Sequence, residues 1–191
     1  MNYPALAMYG LWTLWAVSWV AASGWTAPTK RRPPVKGEIL YRTLTFLGFG
    51  MLFFFQFVPM IGPGRLWRLP VEAGWVCVGL TALSFMLAWW ARLHLGRLWS
   101  ARVTRKEDHR IVDTGPYGLV RHPIYTALLS SALWLGVYKG TAWSMGGFVL
   151  LSIGYVMKAR IEERFLREEL GAANYDSYAI RTPMIVPFSP V

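Results

Sequence analysis

A chain of 191 residues that is 54% hydrophobic, with a net charge of +10 and a single cysteine, is more apolar than an ordinary soluble domain and cannot form an intrachain disulfide. Its apolar residues gather in runs long enough to cross a bilayer. The positive charge therefore matches the Lys/Arg enrichment of cytoplasmic loops and gives no reason to invoke a nucleic-acid surface.

The first run, 5–22, carries Trp12, Trp15 and Trp19. No basic segment precedes it, so it reads as a span and not as a cleavable signal peptide. A basic, proline-rich break with Lys30, Arg31, Arg32 and Lys36 follows. The second predicted span is 39–61, ended by a Gly62-Pro63-Gly64 turn, and the third is 71–93, with Cys77 inside it as a small hydrophobe. After a long polar stretch, a fourth span covers 123–138 and a tight hairpin at Lys139-Gly140-Thr141 leads into a fifth, 142–163. That last helix continues as a charged segment over 158–170, with Gly171 as its C-cap. The expected fold is one all-α membrane domain over 1–191 with five transmembrane helices. An odd number of spans puts the termini on opposite sides. With the N-terminus outside, 17 of the 20 lysines and arginines fall inside, leaving only Arg65, Arg68 and Lys139 outside. The charge rule thus orients the chain N-out and C-in.

Most of the polar chemistry lies in 109–125, His-Arg-Ile-Val-Asp-Thr-Gly-Pro-Tyr-Gly-Leu-Val-Arg-His-Pro-Ile-Tyr. Pro123 suits the first helical position, where a missing N–H costs nothing. Arg121 and His122 then stand at the helix entrance beside free backbone N–H groups, a ready place for a carboxylate or phosphate. Counting back from the hairpin at ~1.5 Å per residue puts His122 opposite about residue 159, with Glu162 and Glu163 about one turn beyond. Adjacent residues point about 100° apart, so at most one of the two glutamates should face the cleft. The competing reading makes them ordinary helix-surface partners, Lys158–Glu162 and Glu163–Arg167. His94 and His109 flank the same loop as possible acid–base groups. Arg92 and Arg160 are candidates for holding an acceptor carboxylate, against a reading in which each snorkels to the interface. No metal-ligand spacing appears.

These motifs carry a resemblance. His-x-Ile-Val-x-x-Gly-Pro-Tyr-x-x-Val-Arg-His-Pro-x-Tyr at 109–125, Glu-Glu-x-x-Leu at 162–166, Leu-Gly-x-x-Trp-Ser at 95–100 and Tyr-x-x-Tyr at 175–178 together resemble the isoprenylcysteine carboxyl methyltransferase family, related to the phospholipid methyltransferases. The similarity covers roughly 88–188. It implies an integral membrane enzyme that takes a methyl group from S-adenosylmethionine, held at the cytoplasmic ends of the last two helices and covered by the tail. Carried over residue by residue, Tyr117, Val120, His122, Pro123 and Tyr125 line that pocket, and Glu162 or Glu163, with Glu163 preferred, binds the cofactor's polar groups. The cofactor's carboxylate suits Arg121 and His122, and its sulfonium suits an aromatic face such as Tyr125. The implied acceptor is an apolar or amphiphilic molecule, an isoprenylcysteine-like carboxylate first. The alternatives are a phospholipid or amine N-methyltransferase and a sterol-reductase-like NADPH enzyme. The compact chain looks like a prokaryotic member, placed in the inner (cell) membrane.

Overall fold

The computed structural model describes residues 3–27, 29–31, 38–55, 64–99, 105–106 and 111–189. Its helices are α1 (Tyr3–Ala21), α2 (Glu38–Phe53), α3 (Val71–Leu95), the single turn α4 (Pro116–Leu119), α5 (Pro123–Lys139), α6 (Ala142–Leu170) and α7 (Ala172–Ala179). The fold is all-helical apart from a short antiparallel pairing of β1 (Thr29–Arg31) with β2 (Arg105–Lys106).

Among the described residues, three helical stretches are long and apolar enough to cross a membrane: Tyr3–Gly24, Val71–Leu98 and Ala142–Glu169. Two of the five predicted spans are shorter than that. The helix expected over 39–61 ends at Phe53, and residues 56–61 lie outside the described region. Lys139, buried at the far end of α5, donates its ammonium to the carbonyl of Leu52 and so caps the end of α2. At 16 and 17 residues, α2 and α5 measure ~24–26 Å, short of a ~30 Å hydrocarbon core.

Packing follows small residues. Helix α6 runs along α2, and α5 along α3. At the first contact, a Cβ on Gly147 would stand 2.6 Å from the Gly48 carbonyl oxygen, and one on Gly154 would stand 2.8 Å from Thr45 Oγ1. Only glycine lets the two backbones come this close, as is common between membrane helices. Between α3 and α5, Ser84 donates a hydrogen bond to Ser130 (2.9 Å) among Ala88, Ala91, Ala127, Ser131 and Ala132.

Helix α1 closes the bundle with an aromatic stripe. The Trp12 ring meets Phe49, Phe53 and Phe85 edge-on, and Trp15 stacks on Phe85 at 5.1 Å. The opposite face, with Leu6, Leu14, Val17 and Val20, is exposed, as a lipid-facing surface would be. Cys77 is buried in α3, as expected.

The hairpin between α5 and α6 has the predicted form. Gly140 takes the left-handed conformation (φ 59°) that ends α5, and Thr141 and Ser144 form a capping box that starts α6. Residues 64–67 pair with this turn, through Leu66 N–H to the Gly140 carbonyl and Ala142 N–H to that of Gly64. The three cations assigned to the outside, Arg65, Arg68 and Lys139, thus belong to this end of the molecule. Lys139 is buried there, not solvated.

Candidate functional site at the open end of the α5–α6 hairpin

The turn leaves the start of α5 facing the charged end of α6. Pro123 occupies the first helical position, as predicted. The Arg121 guanidinium forms a fork with Glu163, Nε to Oε1 at 2.7 Å and Nη2 to Oε2 at 3.2 Å. Its Nη1 donates to the carbonyls of Ala179 (2.7 Å) and Thr182 (2.5 Å). His122 Nε2 lies 3.1 Å from the same Glu163 Oε1, and His122 Nδ1 lies 3.9 Å from Glu162 Oε2. The Tyr125 hydroxyl donates to Glu162 Oε2 at 2.7 Å. The rings of His122 and Tyr125 stack with centroids 5.1 Å apart and planes 2° from parallel. Lys158 Nζ sits 5.0 Å from the Tyr125 centroid, and Tyr155 packs against the same ring at 5.1 Å.

Three expectations need correction here. Both glutamates, not one, meet the α5 entrance: the stacked His122 and Tyr125 side chains span the angle between them, so one carboxylate is met by Arg121 and His122 and the other by Tyr125. The surface pair proposed between Glu163 and Arg167 gives way to an Arg167–Asp176 fork at 2.7 and 2.8 Å. The N–H groups of Arg121 and His122 are not free, because they donate to the carbonyls of Pro183 (2.8 Å) and Met184 (3.0 Å). The tail takes these donors itself, and Thr126 Oγ1 adds a bond to the Ile185 carbonyl at 2.5 Å.

The remaining candidates are distributed around this cluster. Tyr117 and Val120 are buried just ahead of it, and the Tyr178 hydroxyl donates to the Tyr117 carbonyl at 2.7 Å. Tyr175 and Tyr178 lie one helical turn apart, both buried under the tail. Burial pushes the phenols of Tyr117, Tyr175 and Tyr178 above their ordinary range, so all three stay neutral. His94 Nε2 contacts Thr114 Oγ1 at 2.9 Å, and its ring packs on Tyr117. His109 lies outside the described residues.

Arg160 is exposed. Arg92 does not snorkel. It is completely buried, its guanidinium 3.8 Å from the Trp99 ring centroid and bonded to the carbonyls of Ala22, Trp25 and Gly96. There it ties the end of α1 to the end of α3. The contributions of Lys158, Tyr155 and Thr126 carry no motif of their own. Only their helical spacing from Glu162 and His122 hints at them.

A family model matches the segment that carries the α5 entrance and both glutamates. Residues 76–168 fit the model of the isoprenylcysteine carboxyl methyltransferase family. The chain is 33% identical over 95 residues to the cobalt-zinc-cadmium resistance protein CzcN of Cupriavidus metallidurans, covering 49% of this chain and 43% of that protein. It is 27% identical over 116 residues to the nickel-cobalt-cadmium resistance protein NccN of Alcaligenes xylosoxydans xylosoxydans, covering 59% and 52%. The chain thus spans about half the length of the curated relatives it matches. Residues 76–168, which supply Tyr117, Arg121, His122, Tyr125 and both glutamates, are the part of the chain that is similar to the isoprenylcysteine carboxyl methyltransferase family.

Proposed function

We propose that this is a membrane methyltransferase that uses S-adenosylmethionine and methylates an amphiphilic acceptor, a carboxylate first among the candidates. The observation that carries this reading is the cluster at the α5 entrance, where two carboxylates and a stacked aromatic pair converge inside the matched segment.

The chemistry of these residues fits the cofactor. The Tyr125 ring already receives the ammonium of Lys158 at 5.0 Å, the same attraction between a cation and an aromatic face that a sulfonium would use. Glu162 and Glu163 are acceptors suited to an ammonium and to ribose hydroxyls. Arg121 is the clamp of the site: four hydrogen bonds hold Glu163 and the tail around one guanidinium. When bound, S-adenosylmethionine supplies a methyl group on an electron-poor sulfur. The protein's own work is to orient the reactants and keep water out. An acceptor carboxylate with an ordinary pKa near ~4 is already ionised, so alignment is the main contribution required, and alignment can supply several orders of magnitude in rate. The tail residues Thr182 to Ile185 lie across the entrance, where their carbonyls accept from Arg121, His122 and Thr126.

In the membrane, the proposed arrangement is five spans, with the N-terminus outside and this cluster on the cytoplasmic face. The charge distribution supports it. Isothermal titration of the detergent-purified protein separates the readings. S-adenosylmethionine and S-adenosylhomocysteine should bind, NADPH should not, and His122→Ala should weaken the former about 10-fold or more. Binding of NADPH alone would favour the reductase reading and overturn this one.

A further inference from the structure

The tail that crosses the α5 entrance leaves it through a turn built on an unusual residue. Over Val186, Pro187, Phe188 and Ser189, the Ser189 N–H donates to the Val186 carbonyl at 3.3 Å and the Ser189 hydroxyl donates to it at 2.9 Å. Proline at the second position and a positive φ at the third mark a type II turn, whose third position glycine fills without steric cost. Here that position holds Phe188 at φ 61°, the one non-glycine residue with a positive φ among those described. A bulky side chain strains the backbone in this region. The turn also holds its apolar side chains outward: Phe188 is 94% exposed and Val186 63%. A strained turn that presents a phenyl ring to solvent gains nothing from the protein's own packing, so the ring's partner lies outside the chain.

The position of the turn says what that partner is. Helix α5 runs antiparallel beside α3: a Cβ on Gly74 would stand 3.2 Å from the Tyr138 ring, and Ser84 bonds to Ser130 at 2.9 Å. Continued along both helices, this register sets the first turn of α5 level with Trp89 and Trp90. Trp19 packs against Trp89 and Trp99, each at 5.5 Å, and Trp25 and Trp90 are 43% and 49% exposed. Tryptophans gathered at one level mark the boundary between bilayer and water. The tail is fixed at this level, since the Ile185 carbonyl accepts from Thr126 Oγ1 in the first turn of α5. Thr126 heads a half-buried face that continues along α5 through Leu129, Leu133 and Val137. Val186 therefore steps off the protein at head-group level, above an apolar helix face.

We infer that Val186 and Phe188 insert into the interfacial layer of the bilayer and anchor the tail there. The tail is then held at two points, by its hydrogen bonds to α5 and by lipid, and its closure over Arg121 and His122 depends on the membrane. The inference goes beyond methyl transfer and rests on α5 spanning the bilayer, as proposed above.

Hydrogen exchange of the full chain in nanodiscs of phosphatidylcholine and phosphatidylglycerol tests the anchor. The amides of Arg121 and His122 report on closure, because they donate to the carbonyls of Pro183 and Met184. Phe188→Ser should speed their exchange about three- to tenfold, and Phe188→Trp should keep the protection. Phe188→Gly separates an anchor from a merely structural residue. It relieves the turn and removes the ring, so a structural role predicts unchanged or slower exchange, and an anchor predicts the acceleration seen with serine. Spin labels identify the partner. In a Cys77→Ala background, nitroxides at Val186→Cys and Phe188→Cys should collide with oxygen several-fold more than with a water-soluble nickel chelate. Leu133→Cys on α5 should behave likewise, and Glu168→Cys at the charged end of α6 should show the opposite preference. The inference is overturned by protection that Phe188→Gly leaves intact, or by labels at 186 and 188 that behave like the one at 168. Labels shielded from both reagents overturn it too, since a protein surface, a second copy included, would then cover them. An aqueous label at 133 refutes the α5 span on which the inference rests, whereas a lipid-exposed 133 with aqueous 186 and 188 refutes the anchor alone.

Discussion

Glu163→Gln tests the architecture of the cluster most directly. The substitution keeps the shape of the side chain and removes the charge that holds Arg121 and His122. Arg121 is 11% exposed and Glu163 17%, so the pair is only partly screened by solvent. Deleting one partner of a buried ion pair typically costs ~3–5 kcal/mol. Arg121 keeps its two carbonyl acceptors, Ala179 and Thr182, which argues for the lower end, about 3 kcal/mol. For a chain of this size that corresponds to a fall of roughly 6–12 °C in the unfolding midpoint. Glu162→Gln is the internal control. Its amide oxygen still accepts from the Tyr125 hydroxyl, so the loss should be about 1 kcal/mol or less. Differential scanning fluorimetry in detergent, with S-adenosylmethionine titrated into each variant, reads stability and affinity together. Glu163→Gln should also lower cofactor affinity roughly 10- to 100-fold. Equal thermal losses in the two variants, or a larger loss in Glu162→Gln, would refute the reasoning that Arg121 and Glu163 form the central clamp.

Gly147→Ala should force α2 and α6 apart, because its Cβ would stand 2.6 Å from the Gly48 carbonyl oxygen. A destabilisation of about 1–3 kcal/mol is expected by the same assay, and an unchanged midpoint would mean the two helices do not touch there. The buried phenols Tyr117, Tyr175 and Tyr178 titrate above the ordinary value of ~10. Above that pH the folded state holds more protons than the unfolded one, so their contribution to stability is complete below pH ~10 and is lost as pH rises beyond it. Unfolding midpoints from pH 8 to 11 should fall at the alkaline end, and less steeply in Tyr178→Phe. Reporter fusions after Arg68 and after Val191 should report opposite sides of the membrane, and the same side for both would break the five-span arrangement.

Much of this protein was legible in the sequence because its signals are local. Pro123 as a helix start, Gly140 and Thr141 as a hairpin, Gly171 as a helix end and the long apolar runs each act within a turn or two of chain. From the hairpin alone, counting residues back along both arms set His122 opposite about residue 159, about one turn short of the Glu162 and Glu163 that it and Tyr125 meet. Tertiary structure decided what those side chains do. That both glutamates engage the α5 entrance depends on how far the stacked His122 and Tyr125 rings reach across the helix face. That Arg121 and His122 lose their free N–H groups depends on residues 183–184, some sixty positions away. Arg92 is caged by tryptophans and carbonyls from two other segments, where sequence spacing pointed to a snorkelling cation. The pairing of α2 with α6 arises from glycine contacts between helices about a hundred residues apart. Periodicity says which residues a helix carries on one face. Which face meets which neighbour is settled only when backbones approach and polar groups must find partners inside the packed bundle.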